Sequence, residues 1–372
     1  MKLNLDKFLP KLAMANSVVN PKVVIPIQGD FLLHTENGLL YINASDGENT
    51  VSVAVQPTEF SDLCVCVNAN DFYKALANLR GEEIEIVLNE EKHLLRCVYK
   101  SGYFQIPYEY DEAASAVLKI QNDTYHIEND MNAADLLEAV TNAEVASSDN
   151  NIRPQFCGVH FDFKQDGMVA VATDGSKLSK FKTTIKTTED MSGFTIQKKS
   201  AHILTVLMGN EDTVTMKVGD KSVLFSGEDF TMTARLSEYS YPNYDSLIPT
   251  ETRNVAIVNK DLLLNAIKRV SPLGDEKDEM LKMTFGDNTL IIQAEDIYLS
   301  KLGKEKIPCQ YDSEQMTIGV KSENIVALVQ VMVENEIEIS FNSPQTPILI
   351  RPKSDLGERF TTLAMPLVFK SI

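Results

Sequence analysis

Val67 to Leu88 (VNANDFYKALANLRGEEIEIVL), Ile196 to Val218 (IQKKSAHILTVLMGNEDTVTMKV) and Ile318 to Phe341 (IGVKSENIVALVQVMVENEIEISF) share one plan. Each has a short apolar entry, a polar cap, an amphipathic helix and then strand-like alternation. Their starts lie 129 and 122 residues apart, and one third of the 372-residue chain is 124. In the first copy, Phe72, Leu76 and Leu79 follow Asn70 on one helical face and Gly81 supplies the stop. Ile203, Leu204, Leu207 and Met208 repeat the spacing, as do Ile325, Leu328, Val329 and Met332.

Three further helices fall between these. Leu5, Phe8, Leu9 and Leu12 form one, with Pro10 expected near its opening turn, where proline costs least. Leu136, Leu137 and Val140 follow Asn132; Leu262, Leu263, Ala266, Ile267 and Val270 follow Asn259 and precede Pro272. Each leads to a run of one form, GLLYINASD, GMVAVATDG or NTLIIQAED: a turn, several β-prone residues and an acidic turn. The reading is an α+β chain of six half-domains, paired into three similar domains of two helices on antiparallel sheets. The boundaries are set at 1–122, 123–250 and 251–372.

Composition narrows the function. The chain is 44% hydrophobic and 24% charged, ordinary for a globular protein, and 53 acidic against 35 basic residues give a net charge of -18. Such a surface repels nucleic acid over most of its area, so any DNA contact must come from local clusters. Five scattered cysteines suit neither a disulfide framework nor a paired zinc site. The first residues lack the apolar core of a signal peptide, and the purest apolar run, Val326 to Val333, is too short to span a bilayer. The expectation is a soluble cytoplasmic protein without membrane contact.

Catalytic patterns are missing. The five histidines show no HExxH spacing, and neither a P-loop nor a GxSxG elbow occurs. Cys64 and Cys66 read as small residues of a half-buried strand rather than as metal ligands. Asp162 with Asp166 or Asp174 is the one carboxylate pairing a glycosidase reading would use, but acidic residues at hairpin ends are common here. No enzyme activity and no cofactor are expected. The sharpest local feature is ATDGSKLS, Ala172 to Ser179, which by itself is a turn. EYSYPNYDSLIP (Glu238 to Pro249) and LAMPLVF (Leu363 to Phe369) set prolines among apolar side chains, a composition suited to a rigid groove that captures a short peptide.

Taken together, RPQFCGVHFD (Arg153 to Asp162), ATDGSKLS, YPNYDSLIP and AMPLVF, in this order along a threefold repeat, resemble the bacterial sliding clamps, the β subunits of the replicative DNA polymerase III holoenzyme. The resemblance implies a head-to-tail homodimer closed into a ring around duplex DNA, with helices lining the hole and sheets outside. It also implies docking of linear motifs from the polymerase catalytic subunit, the clamp loader, other polymerases and repair proteins. Carried over by position, the DNA-facing residues are Lys11, Lys22, Arg153, Gln155, Lys198 and Lys199.

The same resemblance places a peptide pocket between the second and third domains. It comprises Phe156, Thr173, Gly175, Ser176, Lys177, Leu178, Pro242, Leu247, Pro347, Leu363, Met365, Pro366 and Leu367. Ser176 and Lys177 replace the family's common His-Arg pair and Val368 a basic residue, so the apolar part is expected to persist and the polar rim to differ. Ring closure is expected to use Lys74, Tyr103, Phe104 and Ile106 of the first domain against Pro272 and Leu273 of the third. A monomeric peptide-binding scaffold and a carbohydrate-active enzyme are the competing readings.

Overall fold

The computed structural model describes residues 1–20, 25–81, 83–110, 112–121, 123–164, 166–185 and 192–368. Its repeating element begins with a strand that ends on asparagine. Lys2–Asn4, Tyr125–Asn132 and Asn254–Asn259 each hand over to a helix, Leu5–Asn16, Ala133–Glu144 and Lys260–Val270. The terminal asparagine accepts from the N–H three residues on: Lys7 at 3.3 Å, Asp135 at 3.0 Å and Leu262 at 3.0 Å. Such caps are worth about 1 kcal/mol each and fix where the helix starts. A three-stranded meander follows: Asp30–Glu36, Leu39–Ser45 and Asn49–Val55 in the first copy, Gly158–Lys164, Gly167–Thr173 and Lys177–Lys182 in the second, and Met280–Gly286, Thr289–Asp296 and Lys301–Gln310 in the third.

The complementary half-unit has the same order. Strands Cys64–Asn68, Phe194–Gln197 and Met316–Lys321 enter helices Ala69–Ala77, Lys198–Leu207 and Ser322–Gln330. Their meanders are Glu83–Asn89, Leu94–Tyr99 and Gly102–Glu109; Thr213–Gly219, Ser222–Ser226 and Phe230–Arg235; and Glu336–Phe341, Ile348–Pro352 and Phe360–Ala364. Most apolar helix positions read from spacing are buried, including Leu5, Phe8 and Leu12, Leu136 and Val140, and Leu263, Ala266, Ile267 and Val270, whereas Leu9 and Leu137 are half-buried and Leu262 is exposed.

Some local expectations shift. The helix at Ala69 is capped by Asn68, whose side chain accepts from Asp71 N, so Asn70 lies in the first turn and Leu79 beyond the end. Met332 also lies past its helix, yet is buried. Pro10 sits in the middle of Leu5–Asn16, where its missing N–H removes an intrahelical bond; burial of Phe8 and Leu12 outweighs that cost.

Two twelve-stranded sheets result. The chain divides into two compact units, residues 1–137 with 202–236 and residues 138–201 with 237–372, and each holds one sheet. Each sheet joins strands of one repeat to strands of the next. In the first unit Asn49–Val55 pairs with Phe230–Arg235, placing Val51 opposite Met232; in the second, Lys177–Lys182 pairs with Phe360–Ala364, placing Ser179 opposite Thr362.

These seams are laid in one register. Val51 and Ser179 face Ala44 and Ala172 within their own hairpins, and Met232 and Thr362 face Phe225 and Ile350 within theirs. The third pair of equivalents is Gly303, which faces Ala294, and Phe104, which faces Cys97. Among the described residues their strands have largely open outer edges. Lys301–Gln310 meets a second neighbour only at Gln310 and Cys309, and Gly102–Glu109 only at Glu109 and Tyr108.

Candidate functional site

The second seam carries the candidate site. Leu178 and Leu363 lie opposite one another and are 1% exposed. They cluster with Val169, Val171, Leu349 and Tyr244, with Tyr241 and Ile248 packed against the cluster. Adjacent strands in one sheet place Val171, Leu178, Leu363 and Leu349 on a common face, because successive side chains alternate and paired residues point the same way. Of the other pocket residues expected from the sequence, Leu247 and Met365 are exposed, and Phe156, Pro242, Pro347, Pro366 and Leu367 are half-buried. An apolar floor with a few fixed polar groups suits capture of apolar peptide side chains.

The turn Asp174–Lys177 fixes one edge. Asp174 Oδ1 accepts from the Ser176 and Lys177 N–H groups at 2.7 and 2.9 Å and from Ser176 Oγ at 2.8 Å, while its other oxygen pairs with the Lys177 ammonium. Burial alone would raise the Asp174 carboxyl; the hydrogen bonds from Lys177 and the two N–H groups outweigh it and hold the group below the usual range. Thr173 Oγ1 accepts from Gly175 N and donates to Lys177 O. Gly175 has φ +89°, a left-handed conformation that a side chain would strain. A cleft of about 510 Å³ adjoins the turn, lined by residues including Ser147, Asn150, Asp174, Lys177 and Glu323.

The C-terminal segment is tied to this turn. Met365 N donates to Ser176 O at 2.8 Å, Leu367 N to Gly319 O at 2.8 Å, and Asn324 Nδ2 to Ser176 Oγ at 3.1 Å. Lys177 is thus committed to Asp174, and Ser176 is held by Asn324.

A second polar set braces the opposite edge. Tyr244 donates to Asp162 Oδ2 at 2.6 Å; Lys164 and Lys180 reach Asp245 at 2.6 and 2.7 Å and lie over the Tyr244 ring. Burial, with the Asp162 hydrogen bond second, pushes the Tyr244 phenol up and keeps it a donor. Tyr241 stacks on His160 with centroids 4.4 Å and planes 3° apart. Burial holds the His160 imidazole down at about 4. Asp162, Asp166 and Asp174 thus have separate partners in Tyr244, Lys182 and Lys177. Among the described residues no group of three His, Cys, Asp or Glu side chains is placed to hold a metal ion.

The DNA-facing candidates divide. Lys22 lies outside the described residues. The Lys11 side chain is 17% exposed and paired with Asp229; it lines a cavity of about 600 Å³ with Met14, Val55 and Val206. Arg153, Gln155 and Lys198 share one neighbourhood, since Lys198 N donates to Cys157 O and its ammonium reaches Asp149 at 2.8 Å. Arg153 stands over the pocket turn, its guanidinium 3.6 Å from where a Gly175 Cβ would be. Lys199 is exposed.

The residues chosen for closure lie on the two open-edged strands and their supports. Tyr103 is 58% exposed and carries the Arg96 guanidinium 4.5 Å from its ring centre. Phe104 and Ile106 are half-buried, with Phe104 against Phe72; Lys74, Pro272 and Leu273 are exposed. Sequence reasoning missed Tyr241, Tyr244, Val171 and Leu349 in the floor, although both tyrosines stand inside the quoted YPNYDSLIP region. It also missed Asn324 on the turn, and Leu302 beside Gly303.

The sequence patterns of the N-terminal, central and C-terminal domains of the DNA polymerase III beta subunit match residues 1–108, 130–243 and 245–368. The chain belongs to the DNA polymerase III beta subunit family. As a family member it has the sliding-clamp fold and is a processivity factor. The beta sliding clamp of Treponema pallidum is 24% identical over 363 residues, covering 95% of this chain and 97% of that one. That of Borreliella burgdorferi is 24% identical over 384 residues, covering 97% and 96%. Among solved structures, the DNA polymerase III beta subunit of Thermotoga maritima superposes with TM-score 0.90 at 21% identity over 99% of both chains. The Bartonella birtlesii sliding clamp bound to griselimycin does so with TM-score 0.91 at 21% identity, again over 99% of both. Among the described residues, no helix of this beta subunit is long and apolar enough to cross a membrane.

Proposed function

We propose that the chain is a non-catalytic clamp that encircles duplex DNA as a head-to-tail homodimer, each protomer built from domains 1–122, 123–250 and 251–372. It works in the cytoplasm without a cofactor and docks linear motifs of the replicative polymerase, the clamp loader, other polymerases and repair proteins. The observation that carries the reading is the repeated seam. Two seams of one register occur within the chain, and the third pair of equivalent strands, Lys301–Gln310 and Gly102–Glu109, is left largely open-edged.

Pairing those edges between copies in that register sets Gly303 against the partner's Phe104 and Leu302 against the partner's Gln105. Gly303 is the one of the three inward seam positions without a side chain, and Leu273 already crowds it, 2.9 Å from where a Cβ would be. Leu273 takes the space of the missing side chain and is the group set to meet that phenylalanine. The expected interface therefore includes Tyr103, Phe104 and Ile106 with Pro272 and Leu273, flanked by Lys74.

Enclosure needs only weak phosphate contacts, which suits a chain with net charge -18. Arg153, Gln155, Lys198 and Lys199 are the DNA-facing residues of the second unit, with Lys11 and Lys22 in the first. Lys11 and Lys198 are held by Asp229 and Asp149 and must release them to meet a phosphate. The peptide pocket is the second-seam floor of Val171, Leu178, Leu349 and Leu363 with its margin of Phe156, Leu247 and Met365, and it takes one or two apolar side chains of an extended motif.

Retention of protein loaded on nicked circular DNA, followed by linearisation, tests the topology. Protein stays on circles in high salt and is lost on linearisation; equal retention on both forms refutes the proposal. Met365→Ala is expected to weaken peptide binding and leave the dimer intact.

A further inference from the structure

We infer that the loop Ile297-Tyr298-Leu299 is an apolar clasp that closes on a second copy of this chain, an inference that rests on the head-to-tail dimer proposed above. The turns that join equivalent strands show why. Between the paired residues Ser45 and Thr50 the turn is Asp46-Gly47-Glu48-Asn49, and between Thr173 and Leu178 it is Asp174-Gly175-Ser176-Lys177. Both are polar and four residues long. The equivalent pair Glu295 and Leu302 encloses six residues, Asp296 to Lys301, and the added length is apolar.

At each seam within the chain the turn is fastened to the neighbouring strand by one backbone bond. Arg235 N donates to Glu48 O at 2.9 Å, and Met365 N donates to Ser176 O at 2.8 Å. Counting three residues on from Met232 and Thr362 gives these two donors, and counting three on from Phe104 gives Pro107. Proline has no N–H. The fastening that this chain uses twice is therefore chemically barred at the third seam.

A different fastening is present at the same place. Asp296 accepts from Leu299 N at 2.9 Å and folds the loop, which leaves Ile297 69%, Tyr298 91% and Leu299 61% exposed. Three adjacent large apolar side chains turned to solvent are costly unless something covers them. The surface that strand pairing brings beside the loop is the partner subunit's Pro107, itself exposed. Apolar contact thus replaces the missing hydrogen bond, and closure at this point is insensitive to salt.

Sedimentation equilibrium of the full chain, with Ile297→Ser, Tyr298→Ser and Leu299→Ser combined, tests this at 0.1 and 1 M salt. The expected result is a dimer dissociation constant raised about 30-fold or more at both salt concentrations, on the order of one fully buried apolar side chain, with unchanged circular dichroism. A dissociation constant within threefold of the parent's overturns the clasp while leaving the dimer standing; a parent chain that is monomeric throughout overturns both. In a second measurement, p-benzoylphenylalanine in place of Tyr298 is expected to photocrosslink to residues 102–110 of the other copy. Crosslinks confined to other segments overturn the inference even where the triple variant dimerises poorly.

Discussion

Leu178→Ala is the most informative single change in the pocket. Leu178 is 1% exposed, faces Leu363 across the seam and belongs to the cluster with Val171, Leu349 and Tyr244. Large-to-small changes in cores cost about 2–5 kcal/mol. Tyr244, Tyr241 and Ile248 pack on this cluster and leave Leu178 covered, so a loss in that range is expected in global stability. A peptide that docks by displacing the side chains packed over Leu178 loses contact with the removed atoms as well, worth about 1–2 kcal/mol or roughly 5–30-fold in affinity. Fluorescence anisotropy with a labelled hexapeptide carrying adjacent Leu and Phe measures the second quantity, and urea unfolding followed by circular dichroism the first. The chain supplies its own control, because Thr50 occupies the position of Leu178 at the first seam, opposite Thr233 as Leu178 is opposite Leu363. Thr50→Ala is expected to leave peptide affinity unchanged. Peptide affinity within twofold of the parent's for Leu178→Ala would refute the assignment of this floor.

Three further outcomes follow from the geometry. His160 is held down at about 4 from an ordinary 6.5; a depressed folded-state value means that its contribution is present above pH 6.5 and lost as pH falls towards 4. Roughly 2–3 kcal/mol of stability should go over that window, and His160→Gln should flatten this part of a pH titration of the urea midpoint. Asp174→Ala removes the acceptor for two backbone N–H groups and the Lys177 ammonium, and is expected to cost about 2 kcal/mol. It should also speed hydrogen exchange at Ser176 and Lys177; protection equal to the parent's would show that the turn is held by other means. Gly158→Ala drives a methyl group into the Ile196 carbonyl oxygen across paired strands, so a loss of about 3 kcal/mol is expected, and a parental thermal midpoint would contradict the strand pairing.

Much of this architecture was legible because the signals are local. Helix periodicity, the asparagine caps at Asn132 and Asn259 and the acidic turns are set by residues within a few positions of one another, and they repeat three times. The seams were not legible, since Val51 meets Met232 and Ser179 meets Thr362 only after the chain has folded back over a long stretch. The pocket shows both sides of this division. Its turn and proline-bearing margins could be read from short motifs, whereas Val171 and Leu349 look like any strand residue until pairing sets them beside Leu178. Lys11 on its helix looks like a solvent-facing cation; its engagement by Asp229 depends on a loop from a distant segment. At Pro10 local propensity misled in the other direction, because packing of the helix face overrode the lost backbone bond.

The chemistry of the inner seams has a consequence for traffic. Where the second seam has Val171, Leu178, Leu349 and Leu363, the first has Asn43, Thr50, Leu224 and Thr233, with Asn43 accepting from Ser52 at 2.8 Å. A greasy anchor would meet four apolar side chains at one and, beside Leu224, three polar ones at the other. Tripled architecture therefore does not triple the vacancies. On the proposed function, clients queue for one berth per protomer, and the order of service is set by how fast the current occupant leaves and how many rivals are tethered nearby.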